Sequence, residues 1–375
     1  MPSLYVAAGG GGDALAAAIV HRALRADGPA IVATYAWDRL IVDPLPGPRA
    51  PGDFEGLDPI GRHTYAVSPT SAPRPPAGST LPRLAADISH PLVLLDPTGG
   101  AVGIRAQLRD LVALHDDTAV TVLDVGGDVV ARGDAPGLRS PLADGLVLAA
   151  CDDLPVPTDV LIAGPGLDGE LPESDVLATT GTTPVITLKA EHIEPFRRAL
   201  DWHPSEATAL LASAARGLRG RVEVRDSGLG VDLTDRSPNV YRLELADALA
   251  ANQLASRLAA TTSLAEAEDI TRTVCGFSEI DYERAKATRL GPRQPGRLTP
   301  ETDDAVRAFE RDAASRGVDY VTFRRIAEAT SLGAAAAADL RRHLITTRPD
   351  HDAWPLWAVA AAEASGRATS SSTPR

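Results

Sequence analysis

The chain has 375 residues, 44% of them hydrophobic, enough for one large domain or a domain with an appendage. A net charge of −13 disfavours a general nucleic-acid or anionic-membrane binder, and no apolar stretch approaches the roughly 18 to 20 residues of a membrane span. The two cysteines, Cys151 and Cys275, lack motif spacing, which argues against a disulfide or zinc framework and fits a reducing cytoplasm.

In chain order, the first half repeats a short apolar run, a glycine turn and a helical pattern. "LYVAA" (4–8) precedes "GGGGD" and a helix near 13–26, and no basic segment stands before it, so no secretory signal is expected. "AIVATYA" (30–36) leads into the proline-broken loop "WDRLIVDPLPGPR" (37–49). "HTYAVS" (63–68) predicts a short strand and 69–79 a connection rich in proline and serine. "PLVLLD" (91–96) precedes "PTGGAVGIRAQLRDLVALHD", helical after its glycines. "AVTVLDVGGD" (119–128) precedes a loop and a helix near 141–152. "DVLIAGPGLDGEL" (159–171) and "TPVITLK" (183–189) continue the pattern, the latter followed by a helix near 190–200. Strands that are apolar throughout and alternate with helices predict a doubly wound, mostly parallel, Rossmann-like α/β sheet covered on both faces. Residues 54–70 and 221–234 carry the weakest pattern.

The later chain reads as a C-terminal helical region. "SPNVYRLELADALAANQLASRLAATTSLAEAEDITRTV" has few turn signals and predicts long helices over 237–290, with Ser237 as cap and Pro238 in the first turn. Residues 1–290 thus form the α/β domain, 291–298 a linker, 299–362 a helical extension, and 363–375 a disordered tail. Within the extension, 321–345 has the apolar spacing of a helix-turn-helix, but its alanine content and the acidic chain argue against a DNA reader.

Four glycine turns follow predicted strands: Gly9, Gly10, Gly11 and Gly12 then Asp13; Thr98, Gly99 and Gly100; Gly126 and Gly127 then Asp128; and Gly164 and Gly166 then Asp168 and Glu170. In an open α/β sheet the carboxyl ends of the strands form the ligand crevice, and bare backbone before a helix N-terminus suits an anion. The competing explanation is a set of tight turns that bind nothing. Neither dinucleotide frame is complete. Gly10 and Gly12 are followed by Leu15 where a third glycine belongs, whereas Gly9, Gly11 and Ala14 fit the variant ending in alanine, with Asp38 near the ribose position. Carboxylates cluster at the same strand ends: Asp13, Asp124, Asp128, Asp144, Asp168 and Glu170, with Ser140 nearby. Around a phosphate they would repel it unless Mg²⁺ lay between; alternatively Asp128 and Asp144 cap turns and helices. Trp37 and Arg39 offer an aromatic and a cation for a carboxylate, phosphate or base, or belong to a surface loop. Lys189 and His192 end another strand, where an exposed lysine is the simpler reading, and Cys151 reads as packing.

Taken together, "VAAGGGGD", "WDRLIVDPLPGPR", "LDVGGDVVARGDAPGLRSPLADGLVLAA" and "VLIAGPGLDGEL" resemble the domain-of-unknown-function 1152 family of bacteria and archaea over about residues 3–290. The resemblance implies a Rossmann-like core, no general biochemical assignment, and an acidic residue where Asp134 stands. The expected function is an enzyme acting on an anionic, phosphorylated or nucleotide-like small molecule, with metal-assisted transfer or hydrolysis. Gly9 to Gly12 would hold the anion. Asp128, Asp144 and Asp168 would act as acid, base or ligand, and Asp128 and Asp144 would bind Mg²⁺. The alternatives are an NAD(P)-dependent oxidoreductase and a non-catalytic ligand sensor. Neither nucleic acid nor membrane is expected as a partner.

Overall fold

The computed structural model describes residues 3–360 apart from 25–27, 29, 116–118, 226, 291–295 and 334–335. The expected tail and most of the expected linker lie outside the described residues. The nine strands of the central sheet are, in chain order, β1 (Ser3–Gly10), β2 (Ala30–Tyr35), β3 (Asp58–Pro59), β4 (Tyr65–Val67), β5 (Leu92–Leu95), β6 (Val120–Val125), β7 (Thr158–Ala163), β8 (Ile186–Thr187) and β9 (Asn239–Glu244). They lie side by side in the order β8-β9-β7-β6-β1-β2-β5-β4-β3. The middle five, β7-β6-β1-β2-β5, are parallel, while β4 with β3 on one edge and β9 with β8 on the other are antiparallel. Strand order reverses between β1 and β6, and the crevice beyond their carboxyl ends is where such a sheet leaves room for a ligand.

The middle strands are buried on both faces, which is why they read as continuous apolar runs. In β1, Tyr5 and Ala7 face one core with α1 (Asp13–Ala23), while Leu4, Val6 and Ala8 face the other. The short α2 (Leu81–Asp87) and the longer α3 (Gly100–His115) come next, then α4 (Pro141–Cys151), α5 (Glu173–Thr180) and α6 (Glu206–Ala215). With α1, α6 covers the first face; α3 and α4 cover the second. The doubly wound α/β expectation holds.

Two expectations do not. The run expected to be helical from Ser237 begins as strand β9. Val240, Tyr241 and Leu243 are buried and Arg242 and Glu244 exposed, an alternation that fits an edge-side strand laid antiparallel on β7. Ser237 caps no helix; its Oγ accepts from the Thr234 N–H at 2.8 Å in the turn before the strand. Helices follow only from Leu245, as α7 (Leu245–Ala251), α8 (Gln253–Leu258), α9 (Leu264–Cys275) and α10 (Glu279–Leu290).

The segment expected as a helical extension is also part strand. It contains α11 (Thr302–Ser315), α12 (Phe323–Ala329) and α13 (Ala337–Thr347), with strands at Tyr320–Val321, Asp352–Ala353 and Leu356–Ala358. These strands join the hairpin Gly220–Val224 and Leu229–Leu233 in a second, five-stranded sheet. The C-terminal unit has its own core around Val306, Ile326, Leu340, Leu344 and Trp357. It is also fastened to the hairpin by Glu223, 2% exposed, which accepts from Arg316 Nη2 and Arg325 Nε, both at 2.6 Å. Phe323–Ala329 and Ala337–Thr347 are helices, as the helix-turn-helix spacing suggested, but Arg341 of the second pairs with Asp201 of the large domain at 2.7 Å. No helix among the described residues is long and apolar enough to cross a membrane.

Candidate functional site

The reversal between β1 and β6 brings six acids together, Glu170 and five aspartates. Asp13 opens α1, Asp124 stands near the end of β6, Asp128 follows in the turn, Asp144 lies in the first turn of α4, and Asp168 follows β7. They divide into two clusters. Asp13, Asp124 and Asp144, all buried, each present an oxygen within 4.8 Å of the others; Asp128, Asp168 and Glu170 do the same. The expected metal pair Asp128 and Asp144 falls in neighbouring clusters, Asp144 grouping with Asp13 and Asp124, and Asp144 is also the carboxylate that acts most strongly on Asp128.

The clusters differ in how the protein neutralises them. Glu170 accepts from the Ser140 N–H at 2.9 Å, the Ser140 hydroxyl at 2.8 Å and Arg225 Nη2 at 3.2 Å, and also from the Arg139 N–H. It is thus the anchor for the start of α4, a carboxylate with its acceptor capacity used. Ser140 Oγ also lies 3.2 Å from Asp128 Oδ2, and Asp168 Oδ1 accepts from the Glu170 N–H at 3.1 Å while its Oδ2 is buried with no partner. In the first cluster Asp13 Oδ2 accepts from the Gly9 N–H at 2.9 Å, but Asp124 Oδ2 and Asp144 Oδ1 are buried with no hydrogen-bond partner. Burial raises the pKa of Asp13 to about 7, opposed by the Gly9 N–H and by Arg39. Burial, and then the neighbouring carboxylates, push Asp124 and Asp144 well above the usual range. Asp168 reaches about 7, first by burial and then through Glu170. Three carboxyls whose charges repel, with two oxygens left over, form a site that protons or a cation must complete.

The glycines find a mixed explanation. A side chain at Gly10 would sit 2.4 Å from the Trp37 carbonyl oxygen, and one at Gly12 only 2.0 Å from Ser205 Oγ. A side chain at Gly126 would strike Asp168 at 2.2 Å, and one at Gly127 would strike Val176 at 2.6 Å. These four positions are bare because other parts of the chain press against them. Gly9 is bare because Asp13 folds back onto it, with Oδ2 2.8 Å from where a Cβ would be. Gly11 differs: its φ is +69°, and beside it only Asp38 and Trp37 come as near as 3.9 Å, so it presents backbone to open space. Thr98, Gly99 and Gly100 lie at the end of β5, away from the acids. There the Thr98 N–H caps onto Asp96, and Gly100 lies against the Thr261 carbonyl.

Beside the acids opens a cavity of about 880 Å³. Gly10 to Gly12 and Asp168 lie on its border, and its walls carry Arg39, Arg139, Arg225, Lys286, Arg289 and Arg324. One of the chain's two lysines is thus here, while Lys189 is exposed elsewhere. Loss of hydration works against the charge of Arg39, but Glu170, Glu279, Glu283 and Glu206 outweigh it and raise its pKa. Trp37 borders the cavity but is largely buried, and its Nε1–H donates to Glu283 at 3.1 Å. Asp38 borders the cavity, but its oxygens accept from the Thr80 hydroxyl at 2.7 Å and the Thr80 N–H at 2.9 Å, holding the start of α2. Asp134 is exposed and outside the cavity, and Cys151 is buried packing with its thiol pushed up to about 12 by burial. Sequence reasoning missed the cationic wall because Arg225 comes from the hairpin, Lys286 and Arg289 from α10 and Arg324 from α12, segments without a motif.

A family model described as "Protein of unknown function (DUF1152)" matches residues 4–287, and the chain belongs to that family. No curated protein and no solved structure matches the chain.

Proposed function

We propose that this DUF1152 protein is an enzyme acting on a phosphorylated or nucleotide-like small molecule, with a divalent cation held by Asp13, Asp124 and Asp144. The observation that carries this reading is the pair of buried, partnerless oxygens on Asp124 and Asp144, in a cluster set back from a cavity walled by cations that Asp168 of the neighbouring cluster borders. Carboxylate oxygens without competing donors are the ligand set of a hard cation such as Mg²⁺, and arginines suit the oxygens of a phosphate. The two features answer each other: acids alone repel a phosphate, and a bridging cation reverses that. When bound, Mg²⁺ would supply Lewis-acid polarisation of a phosphoryl or carbonyl oxygen.

The chain's own groups supply the rest. Arg39, Arg139 and Arg225 orient and neutralise the anion, and Gly11 lets it approach the backbone. Asp168, with its pKa near 7, is suited to take or give a proton at physiological pH. Transfer or hydrolysis fits this acid-rich site. The dinucleotide reading loses support because Asp38 is occupied by Thr80. The sensor reading draws on Arg324, through which the C-terminal unit reaches the cavity wall.

The test is thermal unfolding with nucleotides, dinucleotides, sugar phosphates and inorganic phosphate, each with Mg²⁺ or with chelator, followed by turnover assays on every binder. Ligand at 100 times its Kd adds about 2.7 kcal/mol. Stabilisation by a phosphorylated compound only when Mg²⁺ is present, lost in Asp124→Asn and Asp144→Asn, is the expected result. Equal stabilisation in chelator sinks the cation reading. Tight binding without turnover favours the sensor.

A further inference from the structure

The cavity of about 880 Å³ is near the top of the range for small-molecule sites, roughly 300 to 1,000 Å³, and holds far more than a phosphoryl group. Helix α10 supplies one of its walls, and the register of that helix is fixed. Glu279, Ile280 and Glu283 are buried. Glu283 accepts from the Gly47 N–H at 2.7 Å as well as from Trp37, and Ile280 lies 3.6 Å from where a side chain on Gly47 would begin. With that face held to the loop at 37–49, another face lines the cavity: Tyr282, Ala285, Lys286 and Arg289, at i, i+3, i+4 and i+7.

Tyr282 is unlike the other aromatic residues. It is 40% exposed, and among the described residues, which include every Phe, Trp and Tyr of the chain, no other is exposed. A single apolar side chain on an open surface is ordinary, but this one stands in the wall of a concave site and presents a ring there. The cations divide in a way that complements it. Arg225 pairs with Glu170, and Arg324 with Glu206 and Glu328. Arg39 and Arg139 also line the cavity but form no ion pair with a carboxylate among the described residues; Arg139 gives Nη1 to the Leu138 carbonyl at 2.9 Å. One cavity thus offers a ring face, two guanidiniums without a counter-anion, and room for what joins the groups they would bind.

We propose that the substrate is a nucleoside phosphate, its base stacked on the Tyr282 ring and its phosphoryl group directed to Arg39 and Arg139. This rests on the reading of the site as one for phosphorylated compounds and narrows it from any such compound to nucleotides. Every base has a π-face, so Tyr282 selects for the presence of a base and not for its identity.

The test is calorimetric titration of the full chain, with Mg²⁺, by AMP, GMP, CMP, UMP and ribose 5-phosphate, the last lacking only the base. The best nucleotide is expected to bind about tenfold tighter than ribose 5-phosphate, the size of one base stacked on an aromatic ring. Tyr282→Ala should bring the two affinities to within about twofold of each other, while Tyr282→Phe, which keeps a ring, preserves the ratio. Tyr282→Trp preserves it too and adds a signal that a merely structural role would not give: nucleotide quenches more indole fluorescence than in the parent, and ribose 5-phosphate does not. Because Tyr282 is exposed, all three variants should melt with the parent. Equal affinity for all five compounds, or a ratio untouched by Tyr282→Ala, overturns the proposal and leaves the phosphate reading in place. A ratio preserved in chelator supports the stacked base and overturns the cation instead. Silence from all five overturns the proposal, while the sugar phosphates of the wider panel still test the reading beneath it.

Discussion

The two acid clusters at the end of β1 and β6 are made from the same residue types and lie next to each other, yet the protein treats them differently. Around Glu170 it supplies two backbone N–H groups, a hydroxyl and Arg225. Around Asp124 and Asp144 it leaves an oxygen on each with nothing to accept, and in the other cluster it leaves Asp168 with one such oxygen, so that only Glu170 is fully satisfied. A carboxylate that the chain has already neutralised is architecture; one that the chain buries and leaves wanting is where a partner belongs.

The comparison breaks most visibly through Asp124→Asn or Asp144→Asn. Under the proposed function, Mg²⁺-dependent stabilisation disappears and turnover of any substrate found by the panel falls on the order of 10³-fold. The same variants without metal melt no lower than the parent, because each removes a buried repulsion. If they melt much lower and bind Mg²⁺ as before, the two clusters have been assigned the wrong way round.

A pH titration sharpens the contrast next. Asp13 and Asp168 have folded pKa values of about 7 against roughly 3.9 in an unfolded chain, so the folded state keeps protons that the unfolded state has lost. Stability is therefore highest below about pH 4 on this account, falls as pH rises from about 4 to 7 and levels off above, with Asp13 the larger contributor because Asp168 is partly exposed. Saturating Mg²⁺ should remove the share due to Asp13 and leave that due to Asp168, which denaturant unfolding at several pH values would resolve. A slope untouched by Mg²⁺ contradicts a cation at Asp13.

Smaller effects come from the neutralised cluster. Glu170→Gln should cost about 2 kcal/mol, since its amide nitrogen faces N–H donors, while Mg²⁺ affinity stays unchanged. Ser140→Ala, which removes one hydroxyl between Asp128 and Glu170, should cost about 1 kcal/mol in the same unfolding measurement. Loss of Mg²⁺ binding in either variant would merge the clusters into one site.

Much of the sheet was legible because β1, β2, β5, β6 and β7 are buried on both faces and so carry unbroken apolar runs. Strand β9 was not, because its six residues run straight into "LADALAANQLAS", whose helix-favouring composition dominates any window that contains both. The hairpin at 220–233 was obscure because the strand that completes it is Tyr320–Val321, a pairing across nearly a hundred residues that leaves no local mark. At the site, the recurrence of glycine and aspartate after strands pointed to the right edge. It could not separate glycines that yield to Trp37 or Ser205 from Gly11, which faces the cavity. Nor could it tell that Asp13 folds back toward Asp144, since both depend on which way a side chain turns after the backbone is set.

The second sheet has a practical corollary. Cutting the chain where the family match ends, at residue 287, would strip Tyr320–Val321 from the hairpin and leave Gly220–Val224 as a bare edge with Glu223 deprived of both arginines. Such a fragment would present an unpaired strand ready to pair with another copy, and a buried charge with no counterion. The span matched by the family model is thus shorter than the span over which the second sheet and its ion pairs are complete, and expression trials should begin from a chain that reaches at least residue 360.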